Sequence, residues 1–260
     1  MNDEVIFEKS GHRADVCFNR PHQHNAMRFS MYERLEDICE QLDADDEIRV
    51  AVFRGAGGKA FVAGTDIGQF RGFKTGDDAI AYEARIDRVV GRLERLRCTT
   101  VAMVQGVCAG GGVPIALACD FRYADDDLRL GVPIAKTLGN CLSMANVARM
   151  IDFVGVAKTK EILMLGKMIG AQEAKAAGVV NDVFAAEDLE QKTDALVADI
   201  LALAPLTLRA VKTAVRRTLD ARRASSELGE DFIRLCYTSE DFHGAVDAFM
   251  EKRRYAWQGR

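Results

Sequence analysis

Proline, tryptophan and histidine are scarce in this chain, with four, one and four copies among 260 residues, and no run of 18 apolar residues occurs anywhere. A transmembrane helix is therefore not expected. The opening decapeptide, MNDEVIFEKS, is acidic and lacks the apolar centre of a secretory signal, which points to a cytoplasmic location. Seven cysteines, at 17, 39, 98, 108, 119, 141 and 236, form no CxxC pair and no zinc-ligand spacing. Reduced thiols and no metal are expected. A surplus of positive charge is also missing: the net charge is −4 and the isoelectric point about 5.7. Together with the lack of a basic, aromatic-interleaved stripe, this argues against a nucleic-acid partner. What remains, 48% hydrophobic and 28% charged residues, is ordinary for a globular protein and sufficient to bury a substantial core.

The periodicity divides the chain in two. VIFEKSGHRADVCFNRP (4–20) reads as two strands around a glycine turn. FSMYERLEDICEQLD (29–43) places Phe29, Tyr32, Leu35, Ile38, Cys39 and Leu42 at helical spacing. Strands are expected at 48–55, 100–106 and 120–125, with a polar helix near 77–96 between the first two. Strands that end in glycine-rich loops and feed helices recur to about residue 185, the pattern of an α/β protein with its ligand loops at strand ends. From about 187 the spacing is helical throughout. No low-complexity linker separates the regions, so these helices are expected to pack on the α/β body or on a neighbouring subunit.

Two glycine-containing loops draw attention. In VQGVCAGGGVPIALACD (104–120), Gly110 to Gly112 lead into a helix whose first turn contains Pro114, a position that tolerates proline because its N–H has no helical partner to lose. Free amides around Gly111 would then sit at the positive end of a helix, suited to an anionic oxygen. Tight packing of the turn explains the triplet equally well. The second loop, KAFVAGTDIGQF (59–70), repeats the arrangement with Thr65 or Asp66 as helix cap. Two such loops converging on one oxygen would form an oxyanion hole.

FNRPHQHNA, KAFVAGTDIGQF, VQGVCAGGGVPIALACDFRYAD, AQEAKAAGVVNDVF and AFMEKRRYAW follow one another in the order seen in the crotonase superfamily, the enoyl-CoA hydratase/isomerase family, and the chain resembles that family over nearly its whole length. The resemblance implies a spiral of ββα units (residues 1–195, with the acyl-CoA site) followed by a helical trimerisation region (196–260), assembled as homotrimers or dimers of trimers. It implies an acyl-CoA thioester substrate, with CoA carried by the substrate and no separate cofactor. The thioester oxygen would be held by the N–H groups of Thr65 and Gly111. CoA contacts are implied at His22, Ala63, Thr65, Ile67 and Lys252.

The family's hydratases place a glutamate two residues beyond the glycine triplet, where this chain has Pro114. Their second glutamate falls in LGVPIAKTLGN, at Ile134 when the blocks are matched on Pro133 and at Ala135 when matched on Gly139. Neither is an acid. Hydration needs one group to activate water and another to protonate carbon, so isomerase, lyase or decarboxylase chemistry fits better than hydration. An acyl-CoA-binding protein without catalysis is the alternative, and an RNA-binding role, which a few relatives combine with this fold, is the weakest reading.

Glu83 is the candidate replacement acid. It precedes Ile86, Val89, Val90 and Leu93 at offsets +3, +6, +7 and +10, on or beside an apolar stripe. Asp66 is expected to cap a helix instead, and His22 and His24 to serve as a loop or CoA contact, being too few for a metal site. Asn140, Cys141 and Ser143 fall where the family varies its acyl pocket, with Cys141 expected to be a small buried hydrophobe. Asp125, Asp126 and Asp127 read as a solvated turn, and the basic stretches 216–217, 222–223 and 252–254 as helix surface, apart from the Lys252 match.

Overall fold

The computed structural model describes residues 3–260. Strands β1 (Val5–Ser10) and β2 (Arg13–Phe18) form the expected hairpin, followed by helix α1 (Phe29–Ala44), β3 (Val50–Gly55) and the short β4 (Ala60–Val62). Next come α2 (Gly76–Glu94), β5 (Thr99–Val104), β6 (Val107–Ala109), α3 (Gly112–Ala118), β7 (Phe121–Asp125) and β8 (Arg129–Gly131). The chain continues through α4 (Ile134–Thr137), α5 (Met144–Met164), β9 (Ile169–Gly170), α6 (Ala171–Ala176) and β10 (Asp182–Phe184). Four helices close it: α7 (Leu189–Ala202), α8 (Pro205–Asp220), α9 (Glu230–Tyr237) and α10 (Glu240–Met250). The boundary at 195/196 implied by the resemblance falls inside α7.

Six strands form one sheet in the order β1-β2-β3-β5-β7-β10, parallel except for the first pair. The second sheet, β4-β6-β8-β9, was not foreseen, because its strands are two or three residues long and carry no readable alternation. It arises because each long strand, after a tight turn, gives a short strand that pairs beside the previous one, which makes the ββα spiral.

Alternation along the central strands separates two cores. Val50, Val52, Val101 and Met103 face Leu189, Val197 and Ile200 of α7. Ala51, Phe53, Ala102 and Val104 point the other way into the main core with α1, α2 and α3. Burial on both faces is why these strands read as unbroken apolar runs. A third core, around Phe70, Ala79, Leu138, Ile233, Tyr237, Phe242 and Val246, joins α2 to α9 and α10. Of the two packings left open for the C-terminal helices, α9 and α10 thus take the chain's own body.

The register of α2 is set at its start by a reciprocal capping box: the Asp78 N–H donates to Thr75 Oγ1 at 3.3 Å and the Thr75 N–H to Asp78 Oδ2 at 2.8 Å. At its far end Glu94 lies between Arg149 of α5 (2.9 Å) and Arg223 (3.0 Å). Burial pushes the Glu94 carboxyl up, but the two guanidiniums outweigh it and hold the group at about 2. One expectation needs correcting. Asp126 and Asp127 are exposed, but Asp125 is buried, its carboxylate accepting the Gly106 N–H at 2.9 Å. Gly106 follows β5 in a left-handed conformation (φ +58°), which leaves its N–H without a strand partner, and the acid fills that place.

Candidate active site

Parallel pairing of β4 with β6 brings the ends of the two glycine-containing loops together. Ala63, Gly64 and Thr65 of one and Ala109, Gly110 and Gly111 of the other line a single cavity of about 170 Å³. Gly110 has φ +51°, a conformation open to glycine and strained for other residues. Gly111 is required for space: a Cβ there would sit 2.4 Å from the Tyr32 hydroxyl and 3.2 Å from Thr65 Oγ1. Tyr32 and Tyr82 both hydrogen-bond Thr65 Oγ1, at 2.9 and 2.8 Å, and so hold the Thr65 side chain away from its own amide. Among the described residues, neither the Thr65 N–H nor the Gly111 N–H donates to any protein acceptor. Gly111 is the N-cap of α3, with Pro114 in the first turn, so the helix dipole adds to the donor character of this wall.

Side chains make the rest of the lining. Glu83 is 4% exposed and, among the described residues, is the sole carboxylate in the lining. Its Oε2 accepts the N–H of Ser143 at 3.1 Å, and its Oε1 accepts the hydroxyl of Tyr237 at 2.5 Å. Ser143 is the N-cap of α5, so its N–H is not needed by that helix. The Ser143 hydroxyl donates to Asp87 Oδ1 at 2.6 Å, and Asn146 Nδ2 reaches the same oxygen at 3.2 Å. Burial raises Glu83 from the usual carboxylate range to about 8. The Tyr237 hydroxyl and the Ser143 N–H pull it down, and nearby Asp87 adds to the rise. The carboxyl is thereby raised toward the range useful for proton transfer near neutral pH. Among the described residues, no lysine, arginine or histidine lines the cavity.

A model of the enoyl-CoA hydratase/isomerase family matches residues 8–260. The chain belongs to this family. It is 31% identical over 254 residues to the short-chain-enoyl-CoA hydratase of Clostridium acetobutylicum, covering 97% of this chain and 96% of that protein. Among solved structures, an enoyl-CoA hydratase/carnithine racemase from Magnetospirillum magneticum superposes with a TM-score of 0.81 at 30% identity, over 100% of this chain and 97% of that one. A methylmalonyl-CoA decarboxylase in complex with 2-nitronate-propionyl-CoA reaches 0.89 at 25% identity, over 99% of both chains.

For this family member the positions singled out from sequence fall as follows. Thr65, Gly111 and Glu83 share the cavity, with Ala63 and Ile67 beside them. Pro114 and Ile134 also line it, while Ala135 is exposed and does not, so of the two ways of matching the LGVPIAKTLGN block, the one on Pro133 meets the cavity. Asp66 caps the turn at 67–72 by accepting the Gly68 N–H at 3.2 Å, and its other oxygen pairs with Arg20 at 3.1 Å. His22 and His24 are exposed in the short turn 21–24 and are not part of the lining. Lys252 is exposed, three residues beyond Phe249, which does line the cavity. Cys141 is half-buried, its Sγ 3.7 Å from the Phe232 carbonyl.

Sequence reasoning missed Tyr237, Tyr82, Asn146 and Phe249. Tyr82 carried a signal, since it precedes Glu83 on the stripe-bearing helix. Tyr237 carried none: it is 154 residues from Glu83 and joins it only through tertiary packing. A larger cavity, about 370 Å³, lies under α8, but its Asp120 and Lys212 pair with each other, and Glu94 and Arg216 pair with neighbours.

Proposed function

We propose that the protein binds an acyl-CoA thioester with the carbonyl oxygen between the N–H groups of Thr65 and Gly111, and that Glu83 moves the proton at the α-carbon. The observation that carries this reading is that two residues whose amides have no acceptor among the described residues line a cavity whose one carboxyl group is raised to about 8. As a carbon–carbon or carbon–hydrogen bond at the α-carbon breaks, its electron pair moves into an enolate, and the negative charge collects on the oxygen between the two donors. Such preorganised donors act where charge develops, and each is worth on the order of 10²–10³ in rate. Neutral Glu83 then delivers its proton to the enolate carbon, or ionised Glu83 takes one away.

Isomerase, lyase and decarboxylase chemistry needs no more than this. Addition of water needs a second acid–base group, and the lining holds none. A neutral Glu83 favours routes in which bond cleavage, not proton removal, generates the enolate. One observation favours the alternative of an acyl-CoA-binding protein without turnover: both Glu83 oxygens are already engaged by protein donors.

The same experiment separates the two readings. In heavy water the native protein should exchange the α-protons of butyryl-CoA, followed by mass spectrometry. Glu83→Gln should slow exchange by about 10²–10⁴-fold while leaving thioester affinity intact. No exchange with retained binding supports the silent binder, and no affinity at millimolar acyl-CoA removes both.

For the assembly we infer a homotrimer or a dimer of trimers, as the family resemblance implies, built with the apolar side of α8, where Leu206, Val211 and Val215 are all exposed. Sedimentation at micromolar concentration checks it. The seven free thiols suit the cytoplasmic location inferred for the protein, and no described helix is long and apolar enough to cross a membrane.

A further inference from the structure

Glu83 does not stand alone on its wall. The hydroxyl of Tyr237, fully enclosed at the end of α9, lies 2.5 Å from Glu83 Oε1, with Asn140 Nδ2 at 3.0 Å and the Cys141 carbonyl at 3.5 Å on its other side. The ring is wedged among Phe242, Phe73 and Phe70, at centroid distances of 4.9, 6.1 and 6.3 Å, so the hydroxyl has little freedom to leave. Asn140 Oδ1 is buried and has no hydrogen-bond partner. A buried orphan acceptor of this kind requires a reason.

A hydroxyl has one proton to give, and this one has two directions in which to give it. With Glu83 ionised, the Tyr237 O–H donates to Oε1 and Asn140 Nδ2 donates to the Tyr237 oxygen, which is the arrangement in the structure. With Glu83 protonated, its own O–H takes the 2.5 Å contact as donor, and the Tyr237 proton must turn elsewhere. A half-turn of the Asn140 amide exchanges Nδ2 and Oδ1 and supplies the acceptor that is otherwise unused. The chain of hydrogen bonds then runs in the opposite sense, from Glu83 through Tyr237 to Asn140.

We propose that Tyr237 is a positioning residue for Glu83, and that its hydroxyl, backed by Asn140, reverses direction as Glu83 gains and loses its proton. The C-terminal helix α9 thereby belongs to the proton-transfer machinery. The inference rests on Glu83 as the proton-carrying group. The proton exchanged with substrate is Glu83's, and the Tyr237 proton only turns. Burial keeps Tyr237 protonated well above its ordinary range. The other titratable groups facing Glu83 are Tyr82 and Asp87 on its own helix, Tyr32 on α1 and Cys141 on the 139–143 segment; Cys236 of α9 adjoins Cys141, and Arg149 of α5 lies beyond Asp87.

The test is an infrared titration of the Glu83 carboxyl in the intact, ligand-free protein, with the band assigned by its loss in Glu83→Gln. The native midpoint is expected near 8. Tyr237→Phe removes a donor to the ionised form, so the midpoint should rise by about one to two pH units. Asn140→Ala, which keeps the hydroxyl and serves if Tyr237→Phe does not fold, should raise it by about half a unit. In parallel, the pH profile of butyryl-CoA α-proton exchange should move with the carboxyl midpoint while thioester affinity changes little. A purely structural tyrosine would lower the melting temperature and leave the midpoint in place, and an unmoved midpoint in both variants overturns the proposal. If instead Glu83→Gln exchanges protons at the native rate, the function assigned to Glu83 fails, while the carboxyl titration still decides whether Tyr237 and Glu83 are linked.

Discussion

The two walls of the cavity are built on different principles. On one side the working atoms are backbone amides, supplied by two loops whose own glycines and strand pairing place them. On the other side it is the Glu83 side chain, held by the Ser143 N–H and by the Tyr237 hydroxyl, which Asn140 backs, groups drawn from three segments. The amide wall depends on glycine at Gly110 and Gly111 and on the two tyrosines that hold Thr65, while its working atoms belong to the backbone. The side-chain wall changes with every substitution. Backbone donors can therefore be kept while the side chains around them change, and this chain has Pro114, Ile134 and Glu83 in the lining of one cavity.

The sharpest test of that contrast is hydration. With one carboxyl group in the cavity, crotonyl-CoA hydration should run several orders of magnitude below the ordinary kcat range of roughly 1–10³ s⁻¹. Loss of the enoyl absorbance measures it, and a rate inside that range would mean that Glu83 alone can serve both roles.

Breaking the other wall should cost somewhat less. Gly111→Ala places a methyl group against the Tyr32 hydroxyl and should reduce thioester turnover by about 10²–10³-fold. The Glu83 carboxyl midpoint should not move. A shift there would show that the walls are coupled and the distinction drawn here is too clean.

The ion-paired end of α2 offers a test on stability. Glu94→Ala leaves Arg149 buried without its partner and should lower the unfolding free energy by about 3–5 kcal/mol in a urea titration. Glu94 itself is held at about 2, so its stabilisation is present above its ordinary carboxylate range and is lost as pH falls through about 2.

Glu83 acts with the opposite sign. Its carboxyl is raised from 4.5 to about 8, so across that window the folded chain holds a proton that the unfolded chain has released. Its contribution is complete below 4.5 and is lost as pH rises through 8, at a slope approaching about 1.4 kcal/mol per pH unit. Urea unfolding between these limits should show Glu83→Gln flattening the slope; equal slopes in the two proteins would place Glu83 in a more solvated setting than its burial indicates.

Much of the first wall was readable in the chain. A glycine triplet before a first-turn proline, and AGTD before a cap, are local patterns whose meaning depends on backbone geometry within a few residues. The placement of Glu83 on an inward stripe was legible for the same reason, because helical phase is a local property that the Thr75–Asp78 box keeps in step. The strands of the second sheet were not legible, since two or three residues carry no period. Asp125 was misread because a buried acid that accepts one backbone N–H has the same sequence appearance as a solvated one.

By itself, then, the sequence determined the alternation of strands and helices, the amide loops and the face on which Glu83 lies, all consequences of interactions spanning a few residues. The tertiary structure alone decided what Glu83 meets there. Folding α9 back over α2 brought Tyr237 to its carboxylate and buried the pair among Phe70, Phe73 and Phe242. The physical reason is that the proton affinity of a carboxyl group depends on desolvation and on the donors aimed at it. Both are supplied by residues far away in the chain, which no local pattern records.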